Sequence, residues 1–336
     1  MSDKNPNNKK ISKPVALILA GYNKIDLAYK KKYAKEIKKS YDGEEIYIGE
    51  NKFLYQIMGK PIIQYVLDAV YNAKTNGKRI YEKVYIYNDI ESFQANIDVS
   101  QYKNLEIRQM TSSIAGHLKD FYPTVEYGRR IDIFFGDTPR ITSEDVKYIH
   151  DSFGKILNKQ KDHRGVTIRM IYGIARFDDM KDDNWLPHRI KYIKHGKKKG
   201  KLKSFVGFSD GPARIGNCGS MIKHHSIDGL ITHNCSNFLY NLRKALTPSV
   251  ISKLSYYLIT LKKYHVIKQI RKKEIVYTDA YQTFIDLLSK LFKLDLSEYA
   301  GSFFPIKQNA ASWENDVDGP QDLSAMKSAI KKKFAI

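Results

Sequence analysis

Cysteine is nearly absent: the 336 residues include only 2. At most one disulfide can form, which excludes a disulfide-stapled secreted scaffold. Long apolar runs are missing too. Val15-Ala16-Leu17-Ile18-Leu19-Ala20 is far shorter than the roughly 20 apolar residues of a membrane helix. A polar tail precedes it, which is not the layout of a signal peptide. The expectation is a soluble, cytoplasmic protein without a membrane partner. There is no internal repeat and no low-complexity stretch. Acidic residues are scarce beside basic ones, 36 Asp+Glu against 57 Lys+Arg, a net charge of +21. That balance favours anionic partners such as nucleotides, phosphorylated metabolites or nucleic acid. Nucleic acid is the less favoured of these. The basic runs Lys30-Lys31-Lys32, Lys197-Lys198-Lys199 and Arg271-Lys272-Lys273 come with no RNA-binding signature or aromatic platform. The 24 tyrosines are scattered.

What the chain does have is apolar content of 42%, enough for a sizeable core. Its focal stretch is Arg130-Ile131-Asp132-Ile133-Phe134-Phe135-Gly136-Asp137-Thr138-Pro139. Ile131 to Phe135 read as a buried central strand. Gly136 lets the backbone turn, and Asp137 is presented at the strand's carboxyl end, where open α/β sheets bind ligands. Thr142-Ser143-Glu144-Asp145 then starts a helix with cap-type residues. A carboxylate so placed suits a hard divalent cation; it equally suits a plain strand–turn–helix. Further strands are expected at 15–20, 83–87, 105–108, 166–172, 204–208, near 215–222 and at 303–306. Helices are expected at 62–70 and from 320, each with a proline in its first turn, at 114–127 with a break at Pro123, and at 143–158. A short basic helix fits 28–37, and 178–203 reads as a solvated loop or hairpin. The alternation implies a three-layer α/β/α fold with a mixed, mostly parallel sheet. One domain spans 14–336, with a helical insertion at about 235–300, behind a disordered basic tail at 1–13.

Four pieces line up in order: Leu17-Ile18-Leu19-Ala20-Gly21; Lys52 with Gly59-Lys60-Pro61; Gly136-Asp137-Thr138-Pro139; and Asp316-Val317-Asp318-Gly319-Pro320-Gln321-Asp322-Leu323. Their order resembles the GT-A-type (Rossmann-like) nucleotidyltransferases, and within these the molybdenum-cofactor guanylyltransferase-like (MobA-like) NTP transferases. Tyr192 to Lys197, Ile215-Gly216-Asn217 and Arg243 to Pro248 are similar to further segments of that family. The resemblance covers roughly residues 14–333. It implies Mg²⁺-dependent transfer of NMP from an NTP to a phosphorylated or hydroxyl-bearing small molecule, with pyrophosphate leaving. Asp137 would hold the metal with Asp318, and Asp316 is the fallback. Lys52 would meet the triphosphate as a catalytic residue. Leu19, Ala20, Gly21 and Gly136 would wrap the nucleotide. Asn217 would bind the acceptor or sugar, unless it is simply a buried turn residue. The chain departs from the family where Tyr22 replaces a second glycine, where the family's arginine has no clear match (Lys24 or Lys30 to Lys32 are the candidates to replace it), and where about twenty extra residues precede Lys52.

Two alternatives use the same residues. A GT-A glycosyltransferase would grip a nucleotide sugar with Asp316-Val317-Asp318 as its D-x-D. A catalytically degenerate member would bind nucleic acid through its basic surface. Separately, Cys218, His224, His225, His233 and Cys235 are zinc-type ligands at a spacing that fits no standard zinc pattern.

Overall fold

The computed structural model describes residues 12–21, 38–41, 44–47, 50–180, 206–209, 211–232, 277–314, 316–317 and 320–334, with positions 256, 260, 268, 269 and 272 in addition. The expected tail up to residue 11 and the short basic helix lie outside these residues, as do Asp318 and most of the stretch expected as a helical insertion. Eight strands form one sheet: β1 (Val15–Leu19), β2 (Lys83–Asn88), β3 (Leu105–Gln109), β4 (Arg130–Phe135), β5 (Ile168–Arg176), β6 (Val206–Phe208), β7 (Gly211–Ile222) and β8 (Ala300–Pro305). The spatial order is β8-β5-β7-β4-β1-β2-β3, with β6 added against β7. Pairs β4–β1, β1–β2, β2–β3 and β5–β8 are parallel. Strand β7 runs antiparallel to β4, β5 and β6. The sheet is therefore mixed and mostly parallel.

Helices cover both faces: α1 (Ile62–Asn72), α2 (Ile90–Asn96), α3 (Ile114–Phe121), α4 (Ser143–Gly154), α5 (His225–Thr232), α6 (Tyr277–Phe292), α7 (Ala310–Glu314) and α8 (Pro320–Phe334). Because helices lie on both sides, β1 is buried along its whole length, which is why it reads as an unbroken apolar run. Its alternation still sorts the two faces. Ala16, Ile18 and Ala20 pack with Ile63, Val66 and Val70 of α1 and Val146, Ile149 and Phe153 of α4. Val15, Leu17 and Leu19 pack toward Leu118 and Phe121 of α3 and Ile227 and Leu230 of α5. A smaller cluster joins α8, through Leu323, Met326 and Ile330, to Ile57, Ile62 and Val317.

The helix boundaries follow local chemistry. Pro61 is the N-cap of α1, and Pro320 is the first residue of α8. Thr142 and Asp145 form a reciprocal capping box at α4, the Thr142 hydroxyl accepting from the Asp145 N–H at 3.2 Å and the Asp145 carboxylate from the Thr142 N–H at 3.0 Å. The helix expected over 114–127 ends at Phe121 and tightens into a 3₁₀ turn, Tyr122–Thr124, that contains Pro123. Between β1 and Lys52 the chain holds a two-stranded hairpin, Lys38–Tyr41 with Glu44–Tyr47, which sequence reasoning did not anticipate.

Candidate active site

Strand β4 ends at Phe135 in the middle of the sheet, and the chain turns at Gly136. The turn is tight. The Gly136 N–H donates to the Leu19 carbonyl at 3.0 Å, and a Cβ at Gly136 would lie 2.5 Å from Ile63 Cδ1 and 2.8 Å from Ala20 Cβ. Only glycine lets β1 and β4 approach α1 this closely. Asp137 follows, 8% exposed. One carboxylate oxygen, Oδ2, accepts from Lys52 Nζ at 2.7 Å; the other, Oδ1, is buried without a hydrogen-bond partner. An unpartnered buried carboxylate oxygen costs roughly 1–3 kcal/mol or more, so it calls for an occupant.

Lys52 opens a 3₁₀ turn, Lys52–Leu54, that Phe53 anchors in the core. The side chain of Asn51 donates to Asn88 Oδ1 at 2.6 Å, and Asn88 Nδ2 in turn donates to the Ala20 carbonyl at 2.9 Å. Asn88 is fully buried at the end of β2. It thus ties the Lys52 turn to the Leu19-Ala20-Gly21 segment. Besides Asp137, the Lys52 ammonium donates to the Val317 carbonyl at 3.0 Å. The Val317 N–H donates to the Asp137 carbonyl at 3.1 Å. Val317 is fully buried in the apolar cluster under α8. Burial of that one side chain holds its backbone against Asp137, with Asp316 alongside at 5% exposure.

The residues singled out from sequence are thus distributed as follows. Gly21, Lys52, Gly136, Asp137 and Asp316 gather at the carboxyl ends of β1 and β4. Lys52 meets Asp137 and Val317. Asp318 lies outside the described residues. Asn217 sits on β7 one residue beyond the Cys218–Phe134 pair, hence at the same end of the sheet. It belongs to a strand rather than a turn, is 5% exposed, and its Nδ2 has no hydrogen-bond partner. Among the described residues no group of three or more His, Cys, Asp and Glu is placed to hold a metal ion. Cys218 is a buried free thiol, and the structure does not bring it together with His224 and His225; His233 and Cys235 lie outside the described residues. Lys272 is the only member of the three basic runs inside them. No described helix is long and apolar enough to cross a membrane.

Two residues escaped the sequence reading. Asn88 carried only the signal of a polar residue ending an apolar strand. His117 had a better one, because it falls on the apolar stripe of α3 with Ile114, Leu118 and Phe121. Its ring is stacked on Tyr87 at 4.7 Å and lies under Gly21, where any Cβ would overlap the His117 Cε1. Neither ring nitrogen reaches full hydrogen-bond geometry, the Thr111 backbone being the nearest partner. Burial pushes the imidazole pKa down to about 4, against a smaller opposing pull from the Thr111 backbone, so the ring is neutral at pH 7.

Concavities of about 290 Å³, lined by residues such as Arg169 and His224, and about 370 Å³, lined by residues such as Arg130 and His150, lie at the opposite end of the sheet. The convergent polar groups, not these hollows, mark the candidate site.

No protein-family model and no curated protein sequence matches the chain. Solved structures do. A hypothetical transferase from Thermus thermophilus shares the fold at TM-score 0.54 and 16% identity, over 93% of this chain and 100% of that one. CMP:2-keto-3-deoxy-manno-octonic acid synthetase in complex with CTP aligns at TM-score 0.45 and 12% identity, over 96% and 100%. The 4-diphosphocytidyl-2C-methyl-D-erythritol synthase of Anaerococcus prevotii aligns at 0.43 and 10%, over 95% and 96%.

Proposed function

We propose that this α/β chain, sharing its fold with a transferase, is a cytoplasmic nucleotidyltransferase. It moves NMP from an NTP to a phosphorylated or hydroxyl-bearing small molecule and releases pyrophosphate. One observation carries the reading: Asp137, Lys52 and the Asp316–Val317 segment converge at the end of the central strand, next to the Leu19-Ala20-Gly21 backbone. These are the four pieces whose order in the sequence resembles the MobA-like enzymes.

In the reaction an acceptor oxygen attacks the α-phosphorus, a new P–O bond forms, and the bond to the β-phosphate breaks. Charge builds on the α-phosphoryl oxygens and on the leaving pyrophosphate. The Leu19-Ala20-Gly21 backbone is the surface on which base and sugar lie. Gly136 keeps the strand ends close enough for that surface to be continuous. Lys52 supplies positive charge to the triphosphate, and the Asn51–Asn88 pair fixes the height of its turn. Asn217 offers an unused amide donor to the acceptor.

The donor set fits a hard divalent cation such as Mg²⁺: a carboxylate with an orphaned oxygen, a backbone carbonyl and a second acidic segment, all oxygen. Asp137 with Asp318 or Asp316 would hold it, and when bound it would neutralise charge on the phosphates.

The test is pyrophosphate release on mixing the protein with each NTP, Mg²⁺ and a pool of phosphorylated metabolites and sugars. Wild type should release pyrophosphate with at least one NTP, and Asp137→Asn should abolish it while leaving the thermal melt intact. Transfer from a nucleotide sugar without pyrophosphate would replace this reading with glycosyl transfer through Asp316-Val317-Asp318.

A further inference from the structure

Resting on the reading of Asp137 as a metal ligand, we infer that Lys52 is the resident counter-cation of the metal site. Its ammonium holds that site until a nucleotide triphosphate draws it away, so that metal and nucleotide enter together.

The geometry behind this is specific. Lys52 Nζ lies 2.7 Å from Asp137 Oδ2 and 3.0 Å from the Val317 carbonyl oxygen. Two oxygens that a hard cation would seek are therefore already shared by one positive charge. The Val317 N–H bond to the Asp137 carbonyl, 3.1 Å, keeps the two oxygens converged on that point. The remaining carboxylate oxygen, Oδ1, is buried without a partner and adds a further oxygen for an ion seated at Asp137. The Asp137 side chain as a whole is 11% exposed. An ion binding at Oδ2 therefore competes with the ammonium already there.

A divalent ion at about 2.1 Å from Oδ2 and an ammonium at 2.7 Å from the same oxygen would repel each other across a half-buried, weakly screened gap. Without nucleotide, the tethered ammonium wins because its effective concentration is set by the protein. With nucleotide, the triphosphate offers Lys52 more negative charge than one carboxylate does. The phosphates also offer the metal further oxygens. The same lysine thus suppresses metal binding in the empty site and promotes it in the loaded one, a coupling that must be reciprocal. The pairing also answers a problem of the empty site. A mostly buried carboxylate near a second acidic segment would otherwise face repulsion and desolvation with no cation to relieve them.

The experiment measures Mn²⁺ affinity by electron paramagnetic resonance, with and without a non-hydrolysable α,β-methylene triphosphate of each base. It compares wild type, Lys52→Met, Lys52→Arg and Asp137→Asn. Lys52→Met removes the charge at similar volume, and it should bind Mn²⁺ about tenfold tighter than wild type without nucleotide, the scale of losing one close charge pair. Lys52→Arg keeps the charge and should stay as weak as wild type. Wild type should gain Mn²⁺ affinity on adding the triphosphate analogue, and Lys52→Met should lose most of that gain. Equal or weaker Mn²⁺ binding by Lys52→Met without nucleotide overturns the inference. So does a Lys52→Arg protein that behaves like Lys52→Met. The underlying site assignment fails separately: Asp137→Asn would then bind Mn²⁺ as wild type does in the presence of the analogue.

Discussion

Replacing His117 with leucine should change how stability depends on pH more than it changes stability at neutrality. His117 is 2% exposed, stacked on Tyr87 and pressed under Gly21, with both ring nitrogens unpartnered. Burial lowers its pKa from the ordinary 6.5 to about 4. The unfolded chain therefore takes up a proton on this ring near pH 6.5, and the folded protein only near pH 4. Stability is fully present above pH 6.5, falls as pH drops through that window, and loses nothing further from this group below about 4. A tenfold difference in proton affinity corresponds to about 1.36 kcal/mol, so the window is worth roughly 3 kcal/mol. Leucine has no proton to gain, and it also removes two unsatisfied polar atoms. At pH 7.5 the variant should be as stable as wild type or more so. Its advantage should then widen by about 3 kcal/mol between pH 6.5 and 4. Urea unfolding followed by circular dichroism at half-unit pH steps measures both curves, and the acidic groups common to both proteins cancel in the difference. Parallel stability profiles over pH 4–6.5 would refute the argument, because they would mean that His117 titrates alike in the folded and unfolded chains.

Gly136→Ala should cost about 1–3 kcal/mol by overpacking, since the new methyl meets Ile63 and Ala20; guanidinium melts check this, and an unchanged midpoint would contradict the close approach of β1, β4 and α1. Asp132 is fully buried on β4 and bonded to Arg130 Nε at 2.7 Å, His150 Nδ1 at 2.8 Å and Tyr81 at 3.0 Å. Burial opposes its ionisation, but Arg130 and the hydrogen bonds from His150 and Ser220 outweigh it and hold the pKa near 2. A folded pKa below the ordinary carboxylate value means stability that is present above pH 4 and lost as pH falls toward 2. Asp132→Ala, by leaving Arg130 without its buried partner, should cost about 3–5 kcal/mol at pH 7, read by the same melts, and a loss under 1 kcal/mol would show that the network contributes no net stability.

Much of the fold was legible because its signals are local. The unbroken apolar run of β1, the prolines that open α1 and α8, the cap at Thr142 and the glycine after β4 each depend on a few neighbouring residues. Backbone sterics and hydrogen bonding act over that range. The ordered motifs also placed Gly21, Lys52, Asp137 and the Asp316–Asp318 segment in one site through their resemblance to a family. The local signals said nothing of how those pieces touch. Strand β7 reads as a strand from its residues, but its antiparallel direction comes from pairing with β4 and β5. Asn217, expected to bind the acceptor unless it were a buried turn residue, lies within that strand. The resemblance gave Lys52 a triphosphate to meet, but not the protein groups it touches. Only the packing of Val317 beneath α8 brings a carbonyl and the Asp137 carboxylate within reach of the same ammonium. His117 shows the limit most clearly. Its place on an apolar stripe announced burial, but the lost proton affinity follows from Gly21 and Tyr87, which the sheet delivers from other parts of the chain. Local sequence determined the elements, because propensity and capping are short-ranged. Tertiary structure decided the chemistry, because burial and charge pairing depend on whatever the fold brings alongside.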